Sequence, residues 1–395
     1  MVKYFYICNA LPEMVNNYFK GCVSGNKFSL NLAKSIDLAV EGKLNFISLS
    51  YVDERLLQEF CGGEIWQGKP LIVVNKKNNS AVKSLFTTCS QLKKYLKQYI
   101  KSRKTERIVL IIENSPFTSA VACAAMKKFS NVYCYSITID TAFTETFCKR
   151  KGLLNQLKKK AFRIGQKQLK KFDGLITFTN EVQKELGTSM PCLEFAIGCN
   201  EEDLPLISEL PVLRETDIKK VVYAGSLMKY NGIQELLDAF VSLGDDYQLH
   251  LYGYGEEETK VRLYSQKFKN IIFHGRFDPE DTINILSQYD LLINPRKIDR
   301  YIENYTFPSK LVDYILTGKS VLTSKFKTLP KAYNEFLYLI DEMTAEGIMT
   351  AVKRVFSDSL ANRREKAINA IKYLSENQTY DKIAKNIVEF INSRC

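Results

Sequence analysis

The stretch Leu291–Ser324, LLINPRKIDRYIENYTFPSKLVDYILTGKSVLTS, is the most informative part of this chain. The apolar run Leu291–Asn294 predicts a buried parallel strand. A helix is predicted from Pro308, whose missing N–H costs nothing at a first helical position. Gly318 is suited to end that helix, and a second apolar strand follows. A strand, a loop, a helix and a strand in this order are typical of an α/β sheet with helices on both faces.

The start of this predicted helix has the chemistry of an anion site. Pro308, Ser309 and Lys310 combine free backbone N–H groups, a hydroxyl and an ammonium where the helix dipole favours negative charge. Asp313, one turn further, is placed to accept hydrogen bonds from sugar hydroxyls. The alternative is an ordinary capped helix with Lys310 solvated and Asp313 on the surface.

The length and composition describe a folded protein of two domains. At 395 residues the chain exceeds the size at which one hydrophobic core usually keeps growing. No apolar run approaches the ~20 residues that span a bilayer, and the start, MVKYFYICNALPEM, has too short an apolar stretch for a secretory signal. We therefore expect a cytoplasmic protein, with possible peripheral contact at the inner face of the cell membrane.

The number and spacing of the cysteines and histidines limit the possible disulfide, metal and triad chemistry. Ten cysteines are spread singly without a CxxC pair, and the only histidines are His250 and His274. We expect reduced thiols, no metal site and no serine–histidine–aspartate triad.

Positive charge is concentrated in the first half of the chain. Residues 1–200 carry 30 Lys and Arg against 15 Asp and Glu, whereas residues 201–395 carry 26 against 29. Such asymmetry predicts an anionic partner for the first half. The sequence shows no nucleic-acid motif and no aromatics interleaved with lysine, so nucleic acid is not the expected partner.

Residues 149–171 hold ten basic residues and no acidic one. A helical projection places an apolar side opposite a basic side; the apolar members are Leu154, Leu157, Ala161 and Ile164, and the basic ones are Lys159, Lys160, Arg163, Lys167 and Lys170. Such a helix either contacts an anionic membrane surface or packs on its own sheet with a solvated basic face.

Strand-like and helix-like segments alternate in both halves, which predicts two doubly wound parallel-sheet (Rossmann-like) domains facing a cleft. We predict them at residues 1–200 and 220–375, joined by a polar linker at residues 201–219. The strands expected in the first domain are Phe5–Asn9, Asn45–Ser50, Leu71–Asn75, Ile108–Glu113, Asn131–Ile137 and Gly174–Phe178. Those expected in the second are Val221–Ala224, Gln248–Tyr252, Ile271–His274 and Leu291–Asn294.

Three glycine-bearing segments precede the quoted stretch in the second half: VVYAGSLMKYNG (Val221–Gly232), LYGYGEEE (Leu251–Glu258) and FHGRF (Phe273–Phe277). In this order and spacing they resemble, together with NPR and FPSKLVDYILTGKSVLTS, the donor site of GT-B glycosyltransferases. The resemblance is to the family-four-like enzymes of bacterial surface polysaccharide synthesis.

The resemblance implies transfer of a sugar from a nucleotide diphosphate sugar, a UDP-sugar above all, to a hydroxyl of a saccharide or lipid-linked saccharide. It implies retention at the anomeric carbon, no metal and no other cofactor. Residues 1–200 would face the acceptor and residues 220–375 the nucleotide sugar. Residues 376–395 would form a helix that crosses back to the first domain.

The resemblance also assigns the donor contacts in the second domain. Lys310 and Lys229 would stabilise the charge on the leaving diphosphate. Further contacts are implied for Gly225, Ser226, Gly253, Gly255, Gly275, Arg276, Pro308, Ser309 and Asp313. In the first of these loops relatives commonly have a basic residue after the first glycine and a lysine before the second, but Ser226 and Asn231 stand there, and Lys229 is the nearest cation that could substitute. Lys229 and Arg276 could equally be surface cations.

Two segments of the first domain complete the predicted site. GCVSGNKF (Gly21–Phe28) resembles the family's glycine loop before a helix, and Gly25 and Asn26 are its donor-contacting candidates. SITID (Ser136–Asp140) ends a strand, and the resemblance makes Asp140 a catalytic candidate near the acceptor or donor sugar.

Two departures from the family pattern leave an alternative function open. Tyr305 stands eight residues before Asp313, where relatives have a glutamate, and Glu303 is out of step. The first domain also lacks the histidine that many relatives use. The alternative is a non-catalytic GT-B-folded partner that binds a saccharide or membrane and supports an active enzyme.

Overall fold

The computed structural model describes residues 1–19, 23–50, 54–66, 68–73, 81–114, 117–139, 153–276, 281–298 and 305–394. These residues form two compact units. Unit 1 is Met1–Phe195 together with Tyr380–Cys395, and unit 2 is Ala196–Thr379.

Unit 1 is built on an eight-stranded sheet in the order β3-β4-β2-β1-β5-β6-β7-β8. All neighbouring strands are parallel except β3, which runs antiparallel to β4. The strands are β1 Val2–Cys8, β2 Leu44–Ser48, β3 Glu64–Trp66, β4 Lys69–Val73, β5 Arg107–Glu113, β6 Val132–Thr138, β7 Gly174–Thr177 and β8 Cys192–Glu194. The helices are α1 Glu13–Tyr18, α2 Val23–Ala39, α3 Glu54–Cys61, α4 Ala81–Lys101, α5 Phe117–Ala124, α6 Leu153–Leu169 and α7 Glu181–Leu186.

Unit 2 has a six-stranded parallel sheet in the order β11-β10-β9-β12-β13-β14. Its strands are β9 Lys219–Ala224, β10 Tyr247–Tyr252, β11 Ile271–Gly275, β12 Leu291–Asn294, β13 Ser320–Ser324 and β14 Tyr338–Ile340. Its helices are α8 Ile233–Leu243, α9 Glu258–Lys267, α10 Thr282–Leu286, α11 Lys310–Leu316, α12 Tyr333–Phe336, α13 Ala345–Ser357 and α14 Leu360–Asn377.

The last part of the described chain forms two helices. Helix α14 ends at Asn377 in unit 2, and α15, Tyr380–Asn392, belongs to unit 1. Tyr4 on β1 donates a hydrogen bond from its hydroxyl to Asn392 Oδ1 at 2.8 Å. Burial of the apolar face of α15 against unit 1 therefore ties the end of the chain to its first strand.

Strand order reverses between β1 and β5 in unit 1 and between β9 and β12 in unit 2. Open α/β sheets bind ligands at such points, outside the carboxyl ends of the strands. Beneath the carboxyl ends of the strands, alternate strand residues fill the core of unit 2. They include Val221, Tyr223, Leu249 and Leu251, which are fully buried. A rigid core thus holds the loops that carry the predicted site.

The two histidines pair with each other on the face of the unit 2 sheet opposite to Leu249 and Leu251. His250 on β10 and His274 on β11 share a 2.9 Å hydrogen bond between Nδ1 and Nε2. Burial and the neighbouring His274 lower the pKa of His250 to about 4. Both rings are therefore neutral at pH 7.

The seven cysteines within the described ranges are free thiols, and five of them are buried. No described helix is both long and apolar enough to cross a bilayer. Among the described residues there is also no group of three or more His, Cys, Asp or Glu arranged to hold a metal ion.

Candidate donor site in unit 2

The three glycine-bearing loops of unit 2 are joined edge to edge at the carboxyl ends of their strands. Gly225 donates its N–H to the Tyr252 carbonyl at 3.0 Å, and Gly253 donates to the Gly275 carbonyl at 2.7 Å. A Cβ on Gly253 would lie 1.8 Å from the Gly225 carbonyl oxygen, and Gly253 has φ +140°. Only glycine fits such an approach, so the loops form one preorganised backbone surface.

Lys310 lies against the first of these loops. Its Nζ donates to the Tyr223 hydroxyl at 3.2 Å and lies 4.3 Å from the centre of the Tyr223 ring. The same Nζ is 2.5 Å from the place that a Cβ on Gly225 would take. The missing side chain of Gly225 therefore makes the space that the ammonium uses.

Burial, aided by the positive charge of Arg296, lowers the pKa of Lys310 to about 7. An ammonium with this pKa is only partly charged at pH 7, and a neighbouring anion would hold its proton. The environment of Lys310 therefore favours binding of an anion, which would stabilise the charged form of this lysine. Arg296 belongs to the quoted stretch, but the sequence analysis did not single it out.

The two positions that depart from the family pattern in the first donor loop bond to each other. Asn231 donates from Nδ2 to the Ser226 carbonyl at 2.7 Å and to Ser226 Oγ at 2.9 Å. Tyr223 also donates its hydroxyl to the Ser226 carbonyl at 2.7 Å. Polar contacts thus fix the loop where relatives carry cations.

Helix α11 is anchored to the end of β9. The Tyr314 hydroxyl accepts from the Ala224 N–H at 3.0 Å and donates to the Ala224 carbonyl at 3.1 Å, and the side chain is buried. Tyr314 lies one turn beyond Lys310. The pair of hydrogen bonds therefore fixes the helix that carries the lysine.

The remaining predicted residues of unit 2 lie around this centre. Pro308 is buried, whereas Ser309 and Asp313 are exposed at the start of α11. The guanidinium of Arg276 stacks on the Tyr254 ring, with Cζ 3.6 Å from the ring centre. The exposed Lys229 follows the first loop, and its backbone N–H donates to Glu256 Oε1 at 3.0 Å.

The residues predicted in unit 1 lie differently from the expectation. The sequence analysis placed Gly25 and Asn26 in a loop before a helix, but α2 begins at Val23 and includes both. Asn26 is buried, accepts from the Leu11 N–H and donates to the Leu11 carbonyl, each at 2.9 Å. Its amide therefore holds the chain that follows β1. Asp140 lies outside the described residues.

A buried carboxylate that the sequence analysis did not single out lies where the order of the unit 1 strands reverses. Glu113, at the end of β5, accepts from the Tyr6 hydroxyl and from Ser29 Oγ, each at 2.8 Å. Burial, aided by the Glu113 carboxylate, raises the pKa values of Tyr6 and Cys8. The available sequence signal was an acidic residue that ends an otherwise apolar strand.

Comparisons with known proteins agree with this architecture. Residues 211–373 match the model of the family described as Glycosyl transferases group 1. Over 176 residues the chain is 25% identical to an uncharacterized glycosyltransferase, MJ1069, of Methanocaldococcus jannaschii; the match covers 42% of this chain and 43% of that relative.

Solved structures match over the whole chain. Sucrose-phosphate synthase from Thermosynechococcus elongatus is 14% identical with a TM-score of 0.66, and the match covers 99% of this chain and 98% of that one. Anabaena Alr3699/HepE in complex with UDP is 13% identical with a TM-score of 0.65, covering 99% and 100%.

The fold is therefore GT-B, and residues 211–373 are similar to the family described as Glycosyl transferases group 1. The resemblance to GT-B glycosyltransferases is confirmed, and so is the expected fold of two doubly wound parallel-sheet domains.

Proposed function

We propose that this chain is a glycosyltransferase that moves a sugar from a nucleoside diphosphate sugar to a hydroxyl of a saccharide or lipid-linked saccharide. The observation that carries the proposal is the Lys310 ammonium, held by Tyr223 in the space left by Gly225. Alr3699/HepE, which shares the fold, is also known in complex with UDP-glucose. We therefore take a UDP-sugar as the donor.

In the proposed reaction the bond between the anomeric carbon and the diphosphate oxygen breaks as a bond to the acceptor oxygen forms. The acceptor proton passes to the leaving phosphate. Negative charge grows on the diphosphate, and Lys310, supported by Lys229, stabilises it without a metal. Arg276 and the backbone of Gly225, Ser226, Gly253, Gly255 and Gly275 would bind the rest of the nucleotide, with Asp313 on its ribose.

The finer parts of the proposal follow the family resemblance. They are retention at the anomeric carbon, a role in surface polysaccharide synthesis, and action at the cytoplasmic face of a membrane through residues 149–171. In unit 1, Gly25, Asn26 and Asp140 are the proposed contacts of the sugar, with Asn26 acting through its hold on Leu11.

The experiment is a thermal-shift titration with UDP, GDP, ADP and CMP, with magnesium and with EDTA, followed by sugar transfer and donor hydrolysis assays. We expect UDP to raise the melting temperature without magnesium, since a ligand that binds only the folded state stabilises it. Lys310→Met should abolish most of that shift and lower turnover at least tenfold, because it removes a cation from a developing negative charge.

Lys319→Met is the matched control. Lys319 is also a half-buried lysine of unit 2 whose pKa is lowered by burial, but it precedes β13 at the opposite end of the sheet from Lys310. Its variant should keep the UDP shift and the turnover. Equal losses in both variants, or none in Lys310→Met, would remove Lys310 from the mechanism.

A non-catalytic GT-B partner is the second candidate, because Ser226 and Asn231 occupy the positions where relatives carry cations and bond to each other. It predicts no shift with any nucleotide and neither hydrolysis nor transfer. Any turnover by the purified chain would exclude it.

A further inference from the structure

Helices α4 and α6 lie on either side of α5 on one face of the unit 1 sheet. Helix α5 packs against both of them. The chain moves in one direction across the sheet from β4 to β5, β6 and β7. Right-handed crossovers in one direction place their helices on the same face. The α4–α6 surface, defined as the outward sides of these two helices, is therefore a single side of unit 1.

This surface is basic along both helices. Each helix has five basic residues and no acidic one: Lys83, Lys93, Lys94, Lys97 and Lys101 in α4, and Lys158, Lys159, Lys160, Arg163 and Lys167 in α6. The exposed members include Lys94, Lys97 and Lys101 on α4, and Lys160, Arg163 and Lys167 on α6. The positive field thus extends well beyond residues 149–171.

The same surface exposes large apolar side chains. Phe86 on α4 is 62% exposed, and Leu157 and Ile164 on α6 are 44% and 37% exposed. The sequence projection places Leu157 and Ile164 on the apolar side of α6. Among the residues of this helix whose burial is described, 156, 157 and 159–169, the fold buries Gly165 and Leu169 instead. Two apolar side chains of α6 therefore remain in water.

Exposed cations share stripes with these apolar side chains. On α4, Phe86, Lys94, Lys97 and Lys101 follow spacings of eight, three and four residues, and on α6, Leu157, Lys160, Ile164 and Lys167 follow three, four and three. Residues at such spacings lie on one side of a helix. Each helix thus has apolar and cationic groups on the same side.

Two of the three apolar groups, Phe86 and Leu157, lie toward the carboxyl edge of the sheet. A helix that follows a strand in a parallel sheet begins at that edge, and Phe86 and Leu157 are in the first two turns of α4 and α6. Phe86 also packs edge-on against Phe117, the first residue of α5, with ring centres 5.7 Å apart. The cations continue behind them, away from the edge that carries Glu113.

We propose that the α4–α6 surface binds an anionic lipid bilayer, with Phe86, Leu157 and Ile164 entering the boundary between headgroups and acyl chains and the cations contacting lipid phosphates. The proposal deepens the proposed function, since it places the carboxyl edge of unit 1 beside the membrane, where a lipid-linked acceptor would lie. An anionic bilayer binds both the exposed apolar side chains and the cations. A polyanion such as nucleic acid binds only the cations, because aliphatic side chains make no favourable contact with phosphates.

Vesicle co-sedimentation tests this surface. The full chain is mixed with vesicles of phosphatidylcholine alone or of phosphatidylcholine and phosphatidylglycerol in equal parts, at low and high salt. We expect binding to the anionic vesicles only, weakened but not abolished by salt. Equal binding to both vesicles, or to neither, would overturn the proposal.

Two variants separate the charge from the apolar groups. Replacing Lys94, Lys97, Lys160 and Lys167 by Gln should weaken binding by roughly 600-fold, since each lysine near an anionic surface contributes about fivefold. Replacing Phe86, Leu157 and Ile164 by Ser should weaken vesicle binding more than tenfold. High salt should abolish the binding that remains in this variant. Wild-type affinity in the Ser variant, together with tight binding to duplex DNA, would assign the surface to nucleic acid instead.

The matched control replaces four exposed lysines elsewhere, Lys269, Lys353, Lys372 and Lys385, by Gln. It removes the same charge and should bind as the wild type does; an equal loss would mean that net charge alone drives binding. The UDP shift is measured on every variant. Its persistence separates a failed membrane surface from a failed donor site.

Discussion

At the scale of the residue, the candidate donor site holds one lysine in a confined place. Lys310 has a hydroxyl partner, Tyr223, an aromatic ring beneath its ammonium, and the charge of Arg296 nearby. Burial and that charge lower its pKa to about 7. Without a bound anion, the charged form of Lys310 is therefore costly.

This pKa predicts that UDP binding takes up a proton. A bound diphosphate favours the charged lysine and raises its pKa, so above pH 7 binding must protonate Lys310 and should weaken as the pH rises. Calorimetry at pH 8 in buffers of different ionisation enthalpy measures the uptake. We expect up to one proton for the wild type and none from this group in Lys310→Met.

Tyr223→Phe is the control for that measurement. It retains the lysine and should retain the uptake, although the loss of hydrogen bonds to Lys310 and the Ser226 carbonyl should weaken binding. Identical uptake in the wild type and in Lys310→Met would show that Lys310 is already charged before UDP binds.

At the scale of the element, close backbone packing at the glycine loops controls the shape of the site. Gly253 comes so near to the Gly225 carbonyl that a side chain at Gly253 must move backbone, whereas one at Gly225 would first meet the flexible end of Lys310. Gly275 also has positive φ, +78°, but open space around its missing side chain. These glycines are thus required for different reasons.

Gly253→Ala should lower the free energy of unfolding of unit 2 by about 3 kcal/mol, because backbone clash adds to the strain of its φ. Gly275→Ala should cost only about 1–2 kcal/mol, since it adds left-handed strain without a clash. Urea unfolding of both variants measures the difference. Equal costs would mean that φ alone, and not the approach of the loops, requires glycine at position 253.

At the scale of the whole molecule, the last helix stabilises the unit that begins the chain. Helix α15 buries Ile383, Ala384, Ile387, Val388 and Ile391 within unit 1. The Phe390 ring packs edge-on against Tyr135, with centres 5.9 Å apart, and also approaches Gly174 on the next strand. Each buried aliphatic side chain of this kind contributes about 1.5–3 kcal/mol.

Removal of residues 380–395 should therefore unfold or strongly destabilise unit 1 while unit 2 retains its protection. Hydrogen exchange should show lost protection in α2, β6 and β7, and little change in β9–β13. Removal of residues 393–395 alone is the control and should be neutral. Unchanged exchange in unit 1 after the long truncation would refute the assignment of α15 to this unit.

Features that depend on residues close together in the sequence could be predicted, whereas features that depend on contacts between distant residues could not. Strand β12 has the predicted bounds, Leu291–Asn294, because a short apolar run is a local signal. The sequence does not predict the short strands β3, β8 and β14, since three-residue strands have almost no period. Helix α2 starts earlier than expected, because Gly21 and Gly25 favour a loop at the level of sequence.

The order of residues alone is sufficient to predict the two doubly wound sheets and the polar residues at their strand ends, and it makes Lys310 and the loop glycines candidates for a site. The packing of distant elements brings Lys310 to Tyr223 and Asn231 to Ser226, buries Glu113, and leaves Leu157 and Ile164 exposed. A periodic pattern depends on neighbours within two helical turns. Contacts between distant residues and the covering of a helix face depend on how whole elements pack, which the pattern does not encode.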